Sequence, residues 1–477
     1  MDRRGLREVR PLPAQSGGIL PSESIAATPA GMSVTRGCMR HDRTHVPNWG
    51  LTMGTKRTVI EICAGAGGQA LGLELAGFEH LLAVELDPNA AATLKHNRPE
   101  WTVRIGDVAD PEVLNADDFA EKVDLLAGGV PCPPFSIAGK QLGAEDERDL
   151  FAWAVELVGQ LRPKAVLLEN VRGLSMPRFA GYRQQIRDRL AKFGYWSDWK
   201  LLEAKDYGVP QLRPRFILVA LPEAEARYFA WPEPRPSTET VGSALRELMG
   251  ANGWPGVETW SNKADSIAPT IVGGSKKHGG ADLGPTRAKR AWAAIGVDGL
   301  GVADDAPTAD HPEGFVPKLT TDMVARIQGW GPEDEYAWTF TGKKTSRYRQ
   351  IGNAFPPPVA RAVGESIMAA LDHEGEPKDL AGLEKEHFHD PVYAVLRKAE
   401  RPLTLRELRK AAGSALTEAD VEHQLNLLAR DFVIDIDIDE RDESQRTYRF
   451  VRFKGFVGQE DHQRHLAFVG SARSRIS

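Results

Sequence analysis

A cysteine set between prolines is the most reactive-looking group in this chain. Gly128-Gly-Val-Pro-Cys132-Pro-Pro-Phe-Ser136 follows an apolar run over 123–128 that reads as a buried strand. A thiol at the carboxyl end of a parallel strand points into the crevice where such sheets bind ligands, and the prolines hold its loop rigid. A buried structural thiol is the ordinary alternative. Upstream, an apolar run over 58–63 leads into Ala64-Gly65-Ala66-Gly67-Gly68-Gln69-Ala70. Glycines there permit a tight turn and let a ligand approach the backbone above a helix N-terminus. Gly65-x-Gly67-x-x-Ala70 satisfies the dinucleotide fingerprint, and Glu85, at the end of the next strand, suits ribose hydroxyls. Asp107 closes a third strand and suits an adenine amino group, or else a turn or helix cap. These residues fit an adenosine-containing cofactor, with a nicotinamide dinucleotide and S-adenosylmethionine equally suited, and a Gly-rich turn with no ligand is the alternative.

These groups need a scaffold that gathers strand ends along one edge. Strands over 58–63, 80–85, near 103, 123–128, 165–169 and 215–221 alternate with helices over 69–76, 88–97 and 149–161. That spacing predicts an α/β fold with a doubly wound, mostly parallel sheet. Residues 1–57, rich in Gly, Pro, Ser and Arg, are expected to be disordered or an over-extended reading frame. A catalytic and cofactor-binding domain is expected over 58–221 and a loop-rich lobe over 222–317. The chain then returns to the first domain over 318–372, with helices over 319–328 and 358–371. A linker is expected over 373–390. Three helices and a hairpin over 391–456 resemble a winged helix, and 457–477 form a tail.

The chain has 477 residues and a net charge of −6, which taken whole argues mildly against a nucleic-acid partner. The charge is unevenly placed. Residues 418–443 hold ten acidic and two basic side chains, more than the whole deficit, whereas 1–57 hold nine basic and four acidic ones. The acidity is therefore expected to belong mainly to a C-terminal strip. Three cysteines, Cys38, Cys63 and Cys132, are too few and scattered for a disulfide framework or a zinc site, so no metal is expected. No run approaches the roughly 18 apolar residues of a membrane span. A cytoplasmic monomer in a reducing setting, without membrane contact, is the expectation.

Pro131-Cys-Pro-Pro-Phe-Ser136, with Gly139-Lys-Gln-Leu-Gly143 and Asp146-Glu-Arg148 after it, resembles the catalytic loop of the DNA (cytosine-5)-methyltransferases. The turn at 64–68 resembles that family's S-adenosylmethionine motif. Glu169-Asn-Val171 resembles its next signature and Gln211-Leu-Arg-Pro-Arg215 its paired-arginine motif. Leu319-Thr320 with Arg326-Ile-Gln-Gly-Trp330, and then Gln350-Ile-Gly-Asn-Ala354, resemble its last two motifs. The likeness runs in the family's order from about Thr58 to about Leu371. Lys318, Gly331 and Leu86 depart from the residues common at their positions, which bears on packing rather than on the assignment.

The resemblance implies a Rossmann-like methyltransferase of the bacterial restriction-modification type, with S-adenosyl-L-methionine as cofactor and double-stranded DNA as substrate. A cognate restriction endonuclease would be a genetic rather than a physical partner. Carbon 5 of cytosine is a poor nucleophile, and thiolate attack at carbon 6 by Cys132 pushes electron density onto it. Glu169 then serves ring nitrogen 3, Arg215 the base carbonyl, and Arg213 the orientation of the loop. In an extended segment the two arginines face one side, where they hold the base carbonyl and a phosphate, or form an edge-strand salt bridge. Ala64, Gly65, Ala66, Gly67, Gly68, Glu85, Asp107, Pro131, Asn353 (read as lying in a loop) and Ala354 frame the cofactor pocket. Ser136, Lys140, Arg148, Gln211, Lys276, Lys277 and Arg287 are expected on DNA, with the loop after Cys132 closing over a flipped base. Glu418, Asp420, Glu422, Asp435, Asp437 and Asp439 would repel phosphate, so the C-terminal unit is expected to bind protein or to serve a structural role.

Overall fold

Short apolar runs bounded by Gly, Asp or Pro make the strands, and their order decides where a ligand can sit. The computed structural model describes residues 56–131, 150–235, 237–274, 280–331, 334–380, 390–413, 415–439 and 442–453. Seven strands form the main sheet: β1 (Thr58–Ile62), β2 (Glu79–Glu85), β3 (Val103–Ile105), β4 (Leu125–Gly129), β5 (Ala165–Val171), β6 (Tyr195–Glu203) and β7 (Pro214–Pro222). Their order is β3-β2-β1-β4-β5-β7-β6, with β7 antiparallel to both neighbours and β1 to β5 mutually parallel. The order reverses between β1 and β4. At such a switch point the loops leaving the two strands diverge to opposite faces and open a crevice at their carboxyl ends.

Helices cover both faces because the strands are apolar on both. Ile60, Ile62, Leu126, Val166 and Leu168 pack with α3 (Leu150–Leu161) and α4 (Ala180–Lys192). Val59, Leu125, Leu167 and Ile217 pack on the other side, against Val359, Val363 and Ile367 of the helix Pro357–Leu371. α1 (Gly68–Leu75) leaves β1, and α2 (Pro88–Asn97) is started by Asp87, whose side chain accepts from the Asn89 N–H, with Pro88 in the first turn. Strand β6 and helix α4 were not expected from sequence. β6 alternates buried and half-exposed residues at the sheet edge, so it lacks the continuous apolar run of a central strand.

The lobe expected to be loop-rich contains α5 (Glu223–Ala226), α6 (Val241–Gly250), α7 (Val257–Lys263) and α8 (Thr286–Ala294). Val241, Leu245, Trp254, Trp260 and Trp292 form its core together with Met323 and Ile327 of α9 (Thr321–Ile327). α10 (Lys344–Asn353) and α11 (Pro357–Leu371) return to the sheet. The domain's two ends meet: Arg57 donates to the Leu371 carbonyl at 2.9 Å and to Asp372 at 2.7 Å.

Beyond it lie α12 (Pro391–Lys398), β8 (Leu403–Thr404), α13 (Leu405–Ala412), α14 (Glu418–Asp431), β9 (Phe432–Asp439) and β10 (Asp442–Phe453). The three strands pair in the order β8-β10-β9 around a core of Val392, Leu396, Leu408, Val421 and Phe432. This unit rests on α4. The Tyr393 hydroxyl donates toward Asp188 at 3.2 Å, and a Cβ at Gly181 would meet Leu428 and Phe432 at 2.7 Å.

Candidate active site

The glycine turn is built by the sharp exit from β1. Cys63 has φ 52°, a left-handed conformation that costs a non-glycine residue of order 1–3 kcal/mol and tends to mark functional turns. Gly67, at φ 98°, caps α1, and a Cβ there would stand 2.5 Å from the Trp338 ring. Trp338 also donates its indole N–H to the Ala66 carbonyl at 2.8 Å, so a residue far along the chain props the turn. The Arg98 guanidinium lies 5.1 Å from that indole and is itself held by Glu74.

Glu85 closes the turn from the neighbouring strand. One carboxylate oxygen accepts from the Gly65 N–H and the other from the Asp87 N–H, each at 2.7 Å. Burial raises its pKa and the two backbone donors oppose the rise. Asp107 accepts from the Ala109 N–H at 3.0 Å, so it has the turn-forming role noted as the alternative. Two cavities adjoin here. One, of about 190 Å³, runs from Ala64, Gly65, Ala66 and Gly68 to Glu169, with Asn353 and Ala354 on its wall. The other, of about 320 Å³, holds Leu86, Asp107, Val108, Pro131 and Leu150. They share Cys63, Glu85, Gly129 and Asn353, and so form one cleft at the switch point.

Glu169 reaches the first cavity from β5, where it pairs with Gly129 of β4. Burial pushes its pKa up, against the charges of Arg215 and then Arg213. Arg215 Nε lies 2.5 Å from the Glu169 carboxylate but lacks hydrogen-bond alignment, so the contact is an ion pair rather than a directed bond. Arg213 differs from expectation. It precedes β7, is 1% exposed, and donates to the carbonyls of Ile271, Gly352 and Ala354 at 2.7–2.8 Å. It therefore clamps the lobe to the end of α10, with its guanidinium turned away from solvent phosphate.

Gln211 requires a correction. It is fully buried, donates to Gln328 at 2.5 Å and accepts from the Ile271 N–H at 2.9 Å, which leaves nothing for DNA. Asn353 is the last residue of α10 rather than part of a loop, and it donates toward the Gly274 carbonyl at 3.4 Å. Arg287 is exposed on α8. Cys132, Ser136, Lys140, Arg148, Lys276 and Lys277 lie outside the described residues.

Three residues at or beside the cleft were not among the expected site residues. Asn170 donates to the Val130 carbonyl at 3.0 Å and so fixes the start of the cysteine loop. Glu61 is buried against His80, 3.1 Å away, and Gln69 lines the cavity floor. A polar residue inside an apolar strand, as at Glu61, is a usable sign; Gln69 in a helix N-terminus is not.

Residues 57–369 match the family model for C-5 cytosine-specific DNA methylases. The chain is 58% identical over 420 residues to the Type II methyltransferase M.NaeI of Lentzea aerocolonigenes, covering 88% of this chain and 99% of that protein. It is 51% identical over 321 residues to the Type II methyltransferase M.NgoMIV of Neisseria gonorrhoeae, covering 66% and 99%. The Type II methyltransferase M.Eco47II of Escherichia coli is 35% identical over 340 residues, covering 66% and 79%.

Proposed function

The chain belongs to the C-5 cytosine-specific DNA methylase family, and from that premise we propose a reaction and a role for each cleft residue. The protein transfers a methyl group from S-adenosyl-L-methionine to carbon 5 of a cytosine flipped out of a specific duplex sequence. The observation that carries this reading is the meeting of the glycine turn and the buried Glu169 carboxyl in one cavity, with Arg215 behind the acid.

The cleft suits the cofactor. Its apolar half, with Leu86, Val108 and Leu150, matches a flat heterocycle, Glu85 stands at the junction, and the polar half lies under the glycine turn. When bound, S-adenosylmethionine supplies the electrophilic methyl group and leaves as S-adenosylhomocysteine. Cys132, as a thiolate, bonds through Sγ to carbon 6, and the electron pair of the 5,6 double bond moves toward carbon 5 and ring nitrogen 3. Glu169, where burial favours the neutral acid against the charges of Arg215 and Arg213, donates a proton to nitrogen 3. After transfer, loss of the carbon 5 proton to a base re-forms the double bond and expels the Cys132 thiolate with its electron pair, and nitrogen 3 returns its proton to the Glu169 carboxylate. Arg215 orients Glu169 and faces the base carbonyl, and Asn170 sets the loop carrying Cys132.

The kinship to Type II methyltransferases supports a role in marking host DNA beside a restriction endonuclease. The lobe over 222–317 would read the target, with Arg287 on phosphate. The winged-helix-like unit over 391–456 would bind protein. Bisulfite sequencing of DNA from cells expressing the protein tests the central claim. We expect site-specific 5-methylcytosine with the native chain and none with Cys132→Ala; methylation persisting in that variant would sink the covalent mechanism.

A further inference from the structure

Helix α10 has two working faces. Ser346, Arg349, Gln350 and Asn353 recur at the spacing of a single helical stripe, and all four line the cavity of about 190 Å³ under the glycine turn. Tyr348 and Gly352, one turn apart, fall on the opposite side and meet the lobe. Gly352 lies so close to Gly273 that a Cβ on it would stand 2.5 Å from the Gly273 Cα. Backbone meets backbone there, with no side chain between them to yield.

Tyr348 is 1% exposed, and its hydroxyl reaches two carbonyls of the lobe, that of Val272 at 3.1 Å and that of Asp282 in a shorter contact. Burial, and after it the Asp282 carboxylate, push the hydroxyl above its ordinary range and keep it a donor. Asp282 passes the hold onward. Its carboxylate accepts from the Gly284 N–H at 3.0 Å and from Lys289 of α8 at 2.9 Å. Lys289 is thereby engaged within the lobe, whereas Arg287 and Arg290 share an exposed flank of the same helix. The inner side of α8 is fixed by Trp292, which is fully buried in the lobe's core. A continuous path of contacts therefore runs from the wall of the cavity through Tyr348 and Asp282 to the cations of α8.

We propose that Tyr348 is a positioning residue for the duplex: through Asp282 it fixes the cationic flank of α8 relative to α10, so that DNA held by the lobe is aligned with the methyl donor. The inference rests on the reading of the lobe as the DNA-binding part and adds to it the link that aligns the two. Tyr348 itself touches neither DNA nor cofactor. It acts through Arg287 and Arg290, whose grip on phosphate depends on where the helix carrying them is held.

The test is a double-mutant cycle on the full chain, with methyl transfer to plasmid DNA from an unmodified host measured at saturating S-adenosylmethionine. For Tyr348→Phe, which keeps the ring and removes the hydroxyl, KM for DNA should rise roughly 3- to 10-fold, the usual worth of one hydrogen bond. Both kcat and the affinity for S-adenosylhomocysteine should stay within about twofold. The pair Arg287→Ala and Arg290→Ala should raise KM without it. Adding Tyr348→Phe to that pair should raise KM by less than about twofold more, because both changes act on one path. Full multiplication of the two effects would mean that Tyr348 only stiffens the fold, and would overturn the inference. So would a fall in kcat at unchanged KM, or an equal loss of cofactor affinity. If the phenylalanine variant does not fold, Asp282→Asn, which weakens the hold on Lys289, takes its place in the same cycle. An unchanged KM for the arginine pair would remove the reading of the lobe as the DNA-binding part, and this inference with it. A raised KM for the pair with multiplying effects removes this inference alone.

Discussion

Glu169 is pulled in two directions, and the balance decides how its proton is delivered. Burial favours the neutral acid, while Arg215 and Arg213 favour the anion. Removing the Arg215 charge should therefore raise the Glu169 pKa further. We expect the high-pH limb of the kcat profile in Arg215→Gln to move to higher pH, even as kcat drops; a limb that stays put would detach that limb from Glu169. The same shift has a sign in stability. A carboxyl whose folded pKa exceeds its unfolded value loses stabilising effect as pH rises through the window between the ordinary 4.5 and the raised value. The thermal midpoint should fall across that window, and Glu169→Gln should flatten part of the fall. Glu169 was legible in the sequence because a family motif surrounds it. Gln211 sits in an equally good motif, yet its amide is consumed by Gln328 and Ile271 across the fold. Local spacing says nothing about such distant partners.

At the level of elements, the glycine turn works only with its prop. Trp338 supplies a hydrogen bond to Ala66 and a wall against Gly67. Trp338→Phe removes the bond and should cost about 0.5–1.5 kcal/mol in stability. Gly67→Ala, in a left-handed conformation against the indole, should cost more and weaken cofactor binding with it; equal midpoints for these two variants in urea would contradict this ranking. The central strands were readable because they are buried on both faces and so nearly all apolar. β6 and α10 were not. The first is an edge strand with alternating polarity, and the second, Lys-Thr-Ser-Arg-Tyr-Arg-Gln-Ile-Gly-Asn, buries Tyr348, Gln350, Ile351 and Gly352 rather than an apolar stripe. The short helices of the lobe derive their order from Trp254, Trp260 and Trp292 packing together, a tertiary effect absent from any window of sequence.

Taken as a whole, the molecule is a methylase core with a small unit fastened to one helix. M.NgoMIV is matched over 99% of its length by only 66% of this chain, so a protein of this kind exists without the extra residues. A chain ending at residue 373 should methylate DNA within about threefold of the full-length rate, and Gly181→Leu, which drives a side chain into Leu428 and Phe432, should loosen the unit to proteases without loss of methylation. Complete inactivity of the shortened chain would show that the unit is part of the enzyme. The acidity expected to lie in a C-terminal strip is not confined there: residues 391–456 hold twelve basic and twelve acidic side chains, whereas 58–372 hold 34 basic and 42 acidic ones, so the core meets DNA through local cations against a negative balance. The clasp between Arg57 and the end of α11 carries one more consequence. Because the first strand and the last helix of the core are already held together, the order in which the gene spells its parts is not what the fold depends on. A circularly permuted gene, joining residue 372 to residue 57 through a short linker and opening new termini within the lobe, should encode the same enzyme.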